Sequence, residues 1–143
     1  MAPADGADWL MLRRALWPGS TEAEHAGEIA HLLENADETI NLMARDADGT
    51  ALGFAEAGLR HDYVNGCDTS PVAFLEGIYV VPEARRRGLA RALVAAIEAW
   101  ARKMGCREFA SDALLDNQAS HAMHGALGFA ETGRVVFFRK ALP

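Results

Sequence analysis

Apolar residues recur at helical spacing from the start of the chain. Trp9, Leu12, Leu16 and Trp17 share one face, and Pro18-Gly19 ends the run. Asp8 is the expected N-cap of this helix. Residues 22–36 read as a second helix, with Ile29, Leu32 and Leu33 on its apolar side. The period then changes. Ile40, Leu42 and Ala44 alternate, Asp46-Ala47-Asp48-Gly49 supplies a turn, and residues 51–60 read as a returning strand. A loop with Asn65-Gly66 leads to a β-rich run over residues 72–81, which Pro82 stops. Leu89, Leu93, Ile97, Trp100 and Met104 form the clearest helical stripe, closed by Gly105. A short strand over 108–111, a helix over 118–127 ended by Gly128, and a last strand over 135–139 complete the series. The pattern predicts a single α/β (α+β) domain over residues 1–143. Its sheet is mixed, with an antiparallel hairpin early and parallel strands on either side of the long helix.

Composition narrows the possible roles. No window approaches the ~20 apolar residues of a membrane span, and the first eight residues lack the basic cluster of a secretory signal. Cys67 and Cys106 have no metal-ligand spacing and read as ordinary thiols. These features point to the cytoplasm and to no metal. The formal charge of −6, from 20 acids against 14 lysines and arginines, disfavours nucleic acid and anionic membrane and favours cationic partners.

Against that acidic background, Arg85-Arg86-Arg87-Gly88-Leu89-Ala90-Arg91 joins a buried strand to the N-terminus of the long helix. A helix start offers unpaired N–H groups and partial positive charge. Gly88 and Ala90 let a phosphate approach the main chain, and the arginines add charge. Taken alone, the turn fits a diphosphate site and a solvated arginine-rich loop equally. It carries neither the G-x-G-x-x-G dinucleotide pattern nor a P-loop.

The segment resembles the Arg-x-x-Gly-x-Ala/Gly signature of the GNAT N-acetyltransferases. The run from Asp116-Asn117-Gln118 to Leu127-Gly128-Phe129 is similar to that family's second coenzyme A region. The resemblance implies acetyl-coenzyme A as cosubstrate. It implies contacts from Ile78, Tyr79 and Val80 on the preceding strand, from Arg86, Arg87, Gly88, Leu89, Ala90 and Arg91 in the turn, and from Asn117. Further strings are similar to the aminoglycoside 6'-N-acetyltransferases over nearly the whole chain: Leu16-Trp17-Pro18-Gly19, Arg60-His61-Asp62-Tyr63-Val64-Asn65-Gly66-Cys67, Ser70-Pro71-Val72-Ala73-Phe74-Leu75-Glu76-Gly77-Ile78 and Ala110-Ser111-Asp112. That likeness implies an antibiotic site lined by Trp17, Tyr63, Glu76 and Asp112, and a homodimer.

The chemistry of these residues agrees. A polycationic amino-sugar calls for carboxylates and aromatic faces. Its amines are largely protonated at neutral pH, as a model lysine with pKa ~10.4 is. A base must therefore take a proton before attack on the thioester, and Glu76 or Asp112 is the candidate. Backbone N–H groups of residues 78–80 would polarise the carbonyl. The chain departs from the family at four places. His124 stands where many members carry an acidic tyrosine, and it reads as an acid or as a helix-face residue. Ser20 and Gly133 replace substrate-contacting residues, with Glu131 two positions earlier as a stand-in for the second. Residues 1–8 lack the β-forming run with which relatives begin. Acetylation of another polyamine or of a protein lysine, and non-catalytic binding of either ligand, are the competing readings.

Overall fold

The computed structural model describes residues 1–143, apart from the side chain of Pro3. After a 3-10 turn, α1 spans Gly6–Leu16 and α2 Glu22–Glu34, followed by β1 at Thr39–Arg45, β2 at Ala51–Arg60 and β3 at Val72–Val80. A second 3-10 turn leads to α3 at Leu89–Lys103, then β4 at Phe109–Ser111 and α4 at Gln118–Ala126. The sheet order is β1-β2-β3-β4. The first three strands are antiparallel, and β4 lies parallel to β3. This is the mixed, mostly antiparallel sheet the pattern predicts.

Each sheet face buries a different layer. Leu93, Val94 and Ile97 of α3 pack on Ala55, Ala57, Leu75 and Ile78. On the opposite face, Trp9, Leu12 and Ile29 from α1 and α2 close over Ala51 and Phe54. Beyond those helices, Val64 of the 61–71 loop covers Val72 and Phe74. Helix α2 starts with a capping box: the Thr21 N–H donates to Glu24 at 2.7 Å, and the Glu24 N–H donates to the Thr21 hydroxyl at 3.2 Å.

Three expectations change. The N-cap of α1 is Asp5 rather than Asp8. Asp8 lies inside the first turn, where a carboxylate also answers the helix dipole, and it accepts from Arg45 at 2.7 Å. The elements end slightly earlier than the pattern predicts, at Glu34, Val80 and Ala126. The strand expected over 135–139 does not form. Residues 127–143 carry no helix or strand, and Phe137 and Phe138 are 88% and 93% exposed. Alternating valine and phenylalanine give β propensity, but a strand requires a partner, and this segment pairs with no strand of its own sheet. No strand precedes α1.

Candidate active site

Strands β3 and β4 run together only briefly, with Ala73 opposite Phe109, Phe74 opposite Ala110 and Leu75 opposite Ser111. There β4 ends, while β3 continues to Val80. From residue 76 onward, one edge of β3 is paired with β2 and the other faces an opening in the sheet. The fork leaves main-chain groups free for an extended ligand. Ile78, Tyr79 and Val80 lie along it, and the Val80 carbonyl accepts from Arg85 Nε at 2.9 Å.

At the mouth of the fork β3 is bulged. Glu56 of β2 pairs with Gly77 and the next residue, Ala57, pairs with Leu75, so Glu76 is the extra residue. A bulge re-aims the side chain it carries. Leu75 and Ile78 both face α3, while Glu76 is exposed between them. Asp112 directly follows Ser111 on the other arm and is also exposed. Both carboxylates thus sit where the strands part.

Trp17 caps the C-terminus of α1 and lies against Gly77, where a Cβ would collide with the indole and come within 3.0 Å of Leu16 Cδ2. Its ring meets Phe54 edge-on at 6.1 Å and has the Arg13 guanidinium at 4.7 Å. Arg13 is buried and donates to both Glu56 oxygens at 2.7 Å, and Trp9 Nε1 donates to one of them at 2.6 Å. Burial pushes the Glu56 carboxyl up, and the charge and hydrogen bonds of Arg13 and Trp9 pull it down. His25, also buried, bonds the Trp17 carbonyl through Nε2 at 3.1 Å. Tyr63 belongs to the 61–71 loop, with its ring 79% exposed.

The turn before α3 has an unusual backbone. Arg86, at φ 63°, is the one non-glycine residue with positive φ among the described residues, and Gly88 is left-handed at φ 78°. Successive turns of this kind point N–H groups into a common concavity that suits anions. No side chain caps α3, whose first main-chain bond runs from the Ala92 N–H to the Gly88 carbonyl at 3.0 Å. A Cβ on Gly88 would meet nothing within 4 Å. Arg86 and Arg87 are exposed, and Leu89 and Ala90 half-buried. Arg91 instead turns toward α4, donating to the Ala126 carbonyl at 3.1 Å.

Asn117 caps α4, its Oδ1 accepting from the Ser120 N–H at 3.2 Å. His124 projects from α4 toward the fork. Its Nδ1 lies 2.7 Å from the Ser120 carbonyl and therefore donates to it, and its Nε2 lies 2.8 Å from the Ser111 hydroxyl. That hydroxyl is also 3.3 Å from the Leu75 carbonyl. The strand that was to place Glu131 on one face with Gly133 does not form. Glu131 pairs with Arg134, which lowers its carboxyl below the ordinary range. Burial pushes both thiols up, with Glu108 adding to the effect at Cys67, so neither is an activated nucleophile.

Residues 8–129 match the acetyltransferase (GNAT) family. The chain belongs to that family. Among relatives of this acetyltransferase, the aminoglycoside N(6')-acetyltransferase type 1 of Acinetobacter genomosp. 13 is 56% identical over 94% of this chain and 90% of its own length. That of Serratia marcescens is 52% identical over 94% and 91%. The apo crystal structure of the aminoglycoside 6'-N-acetyltransferase AAC(6')-IG from Acinetobacter haemolyticus superimposes with a TM-score of 0.95 at 48% identity, covering 100% of this chain and 97% of its own. AAC(6')-Iy, solved with the bisubstrate analog CoA-S-monomethyl-acetylneamine, gives 0.92 at 48% identity, covering 99% and 95%.

Two features escaped the sequence reading. Arg60 lies within a string that resembles the family yet was assigned no role, and the bulge at Glu76 is a relation between strands that no local pattern carries.

Proposed function

We propose that this enzyme transfers the acetyl group of acetyl-coenzyme A to the 6'-amino group of aminoglycoside antibiotics, and so confers resistance to them. The observation that carries this reading is the fork, which sets two exposed carboxylates beside a strand edge with free main-chain groups. Its support is the roughly half identity to aminoglycoside N(6')-acetyltransferases over most of the chain.

Acetyl-coenzyme A supplies the thioester. The amides of the turn from Arg86 to Arg91 hold its diphosphate, and Asn117 contacts it from the start of α4. The open edge of β3 at Ile78, Tyr79 and Val80 pairs with its extended arm, and an N–H group there polarises the acetyl carbonyl. Glu76 and Asp112 bind ammonium groups of the drug, with Trp17 and Tyr63 as walls for the sugar rings. One of the two carboxylates, directly or through water, takes the proton that frees the amine. The amine nitrogen then bonds the acetyl carbon, the carbon–sulfur bond breaks, and the thiol leaves with a proton. No covalent enzyme intermediate is required.

A homodimer in the cytoplasm completes the reading. Strand β4 has β3 on one side only, while the segment carrying Val136, Phe137 and Phe138 lies open to solvent. An exposed apolar extended segment and an unpaired sheet edge are complementary, which supports a second copy as the partner. The absence of a helix able to cross a membrane and the net negative charge support a role away from membrane and nucleic acid.

The test is release of free thiol when kanamycin is added to the protein with acetyl-coenzyme A. Rapid release is expected, and Asp112→Ala should lower kcat/KM about tenfold or more, the scale of one lost charge-assisted contact. No release with coenzyme A binding intact overturns the assignment of substrate.

A further inference from the structure

One of the two carboxylates at the fork, Glu76, already holds a cation. Arg60, the last residue of β2, donates from one guanidinium nitrogen to both Glu76 oxygens, at 3.0 and 3.3 Å. The same guanidinium is 3.5 Å from the centroid of the Phe74 ring. Phe74 is buried and fixed in the sheet, so it serves as a platform that holds Arg60 beside the bulge. Both charged side chains are nearly half exposed, at 44% and 43%. The pair is therefore wet and exchangeable, unlike the buried Arg13–Glu56 pair on the same sheet face. Asp112, across the fork, is exposed and makes no ion pair among the described residues.

We infer that Arg60 is the resident counter-ion of Glu76, which an incoming ammonium group must displace, and that it holds down the affinity of every amine that binds at that carboxylate. The inference rests on the role of Glu76 proposed above. The exchange is of one cation for another, so Glu76 alone offers a ligand little net attraction. A tethered guanidinium also competes at a high effective concentration. A single ammonium group meets that competition unaided. A ligand with several gains Asp112 and the acidic surroundings as further contacts, and its ammonium group at Glu76 breaks the same Arg60 pair at the same cost. When freed, the guanidinium keeps its stacking on Phe74 and water as its partner.

Calorimetry on the whole chain with coenzyme A bound tests this, using kanamycin as the polyamine and 6-amino-6-deoxyglucose as the monoamine. Arg60→Met keeps an unbranched stem over Phe74 and removes the charge, and Arg60→Gln is a second neutral variant should the first fail to fold. Either should tighten the monoamine and kanamycin alike, by about two- to fivefold, the size of an exposed ion pair. Arg60→Lys should behave as wild type. In the Glu76→Gln background the effect of Arg60→Met should vanish, because the competition acts through that carboxylate. Equal weakening of both ligands by the neutral variants would overturn the inference in favour of a purely structural arginine. Tightening that persists in the Glu76→Gln background would overturn it as well. A wild-type protein that binds both amines yet transfers no acetyl group would sink the proposed reaction and leave the Arg60 result standing.

Discussion

At the scale of single residues, charge is handled in two opposite ways on one sheet face. Arg13 and Glu56 are 4% and 2% exposed; Trp9 donates to Glu56, and Arg13 also donates to His25 and to Glu28. Removing Glu56 leaves Arg13 the exposed Glu28 as its remaining ion pair, so the cost falls below the about 3–5 kcal/mol of a buried charge left wholly unpaired. Glu56→Ala should therefore lower the chain's stability, measurable as a lower urea midpoint. Because Arg13 also lies against the Trp17 ring, KM for aminoglycoside should rise in whatever fraction remains folded. Gly77→Ala tests the same wall by steric means. The added methyl collides with Trp17, so KM for aminoglycoside should rise at least severalfold while the Kd for coenzyme A holds. Little of this was legible in the sequence. Arg13 stands beside Arg14 in a helix, and nothing in the residues around it marks it for burial. Its burial depends on Glu56, 43 residues away. Glu76 and Asp112 were legible through the strings around them, but the reason both reach solvent at one point lies in the strand pairing.

At the scale of elements, legibility follows from how local the determinants are. The α3 stripe was readable because helix hydrogen bonds and an amphipathic face belong to one segment. The turn before it was readable because Gly88 and the arginines mark it. Gly88→Val tests that turn. The position is open to solvent but left-handed, so a β-branched residue strains the backbone and blocks the amides. The Kd for coenzyme A should rise about tenfold or more by calorimetry, against a small change in Tm. The 61–71 loop offers a pH-dependent counterpart. Glu108 accepts from the Asp68 and Thr69 N–H groups at 2.9 and 2.7 Å, and the bond from the Thr69 hydroxyl, with these amides, holds its carboxyl below the ordinary 4.5. A depressed carboxyl contributes order that is present above pH 4.5 and is lost as pH falls through the lower folded value. Amide exchange in residues 67–70 should accelerate below pH 4.5, and Glu108→Gln should make it fast at all pH values. The strand expected over 135–139 and the bulge at Glu76 were the elements misread or missed, and both are relations between segments. Alternation says that a segment is able to pair, not where its partner is.

At the scale of the whole molecule, the exposed arm beyond Thr132 and the single-sided β4 describe a chain with an unpaired edge and a spare strand. Sedimentation should show a dimer, and Phe138→Asp should shift it toward monomer while coenzyme A still binds, because the turn before α3 lies in the body of one chain. The fork has a consequence of a different sort. A sheet that divides at Leu75 and Ser111 is an unfinished fold, and a coenzyme A arm bound there as proposed would do the work of a missing strand. Occupancy then becomes part of conformational stability, adding RT ln(1 + [L]/Kd) to the folded state, about 2.7 kcal/mol at a hundredfold excess over Kd. The lifetime of this protein against proteases should track the acyl-coenzyme A supply of its cell, so that a starved cell clears the enzyme sooner than a fed one.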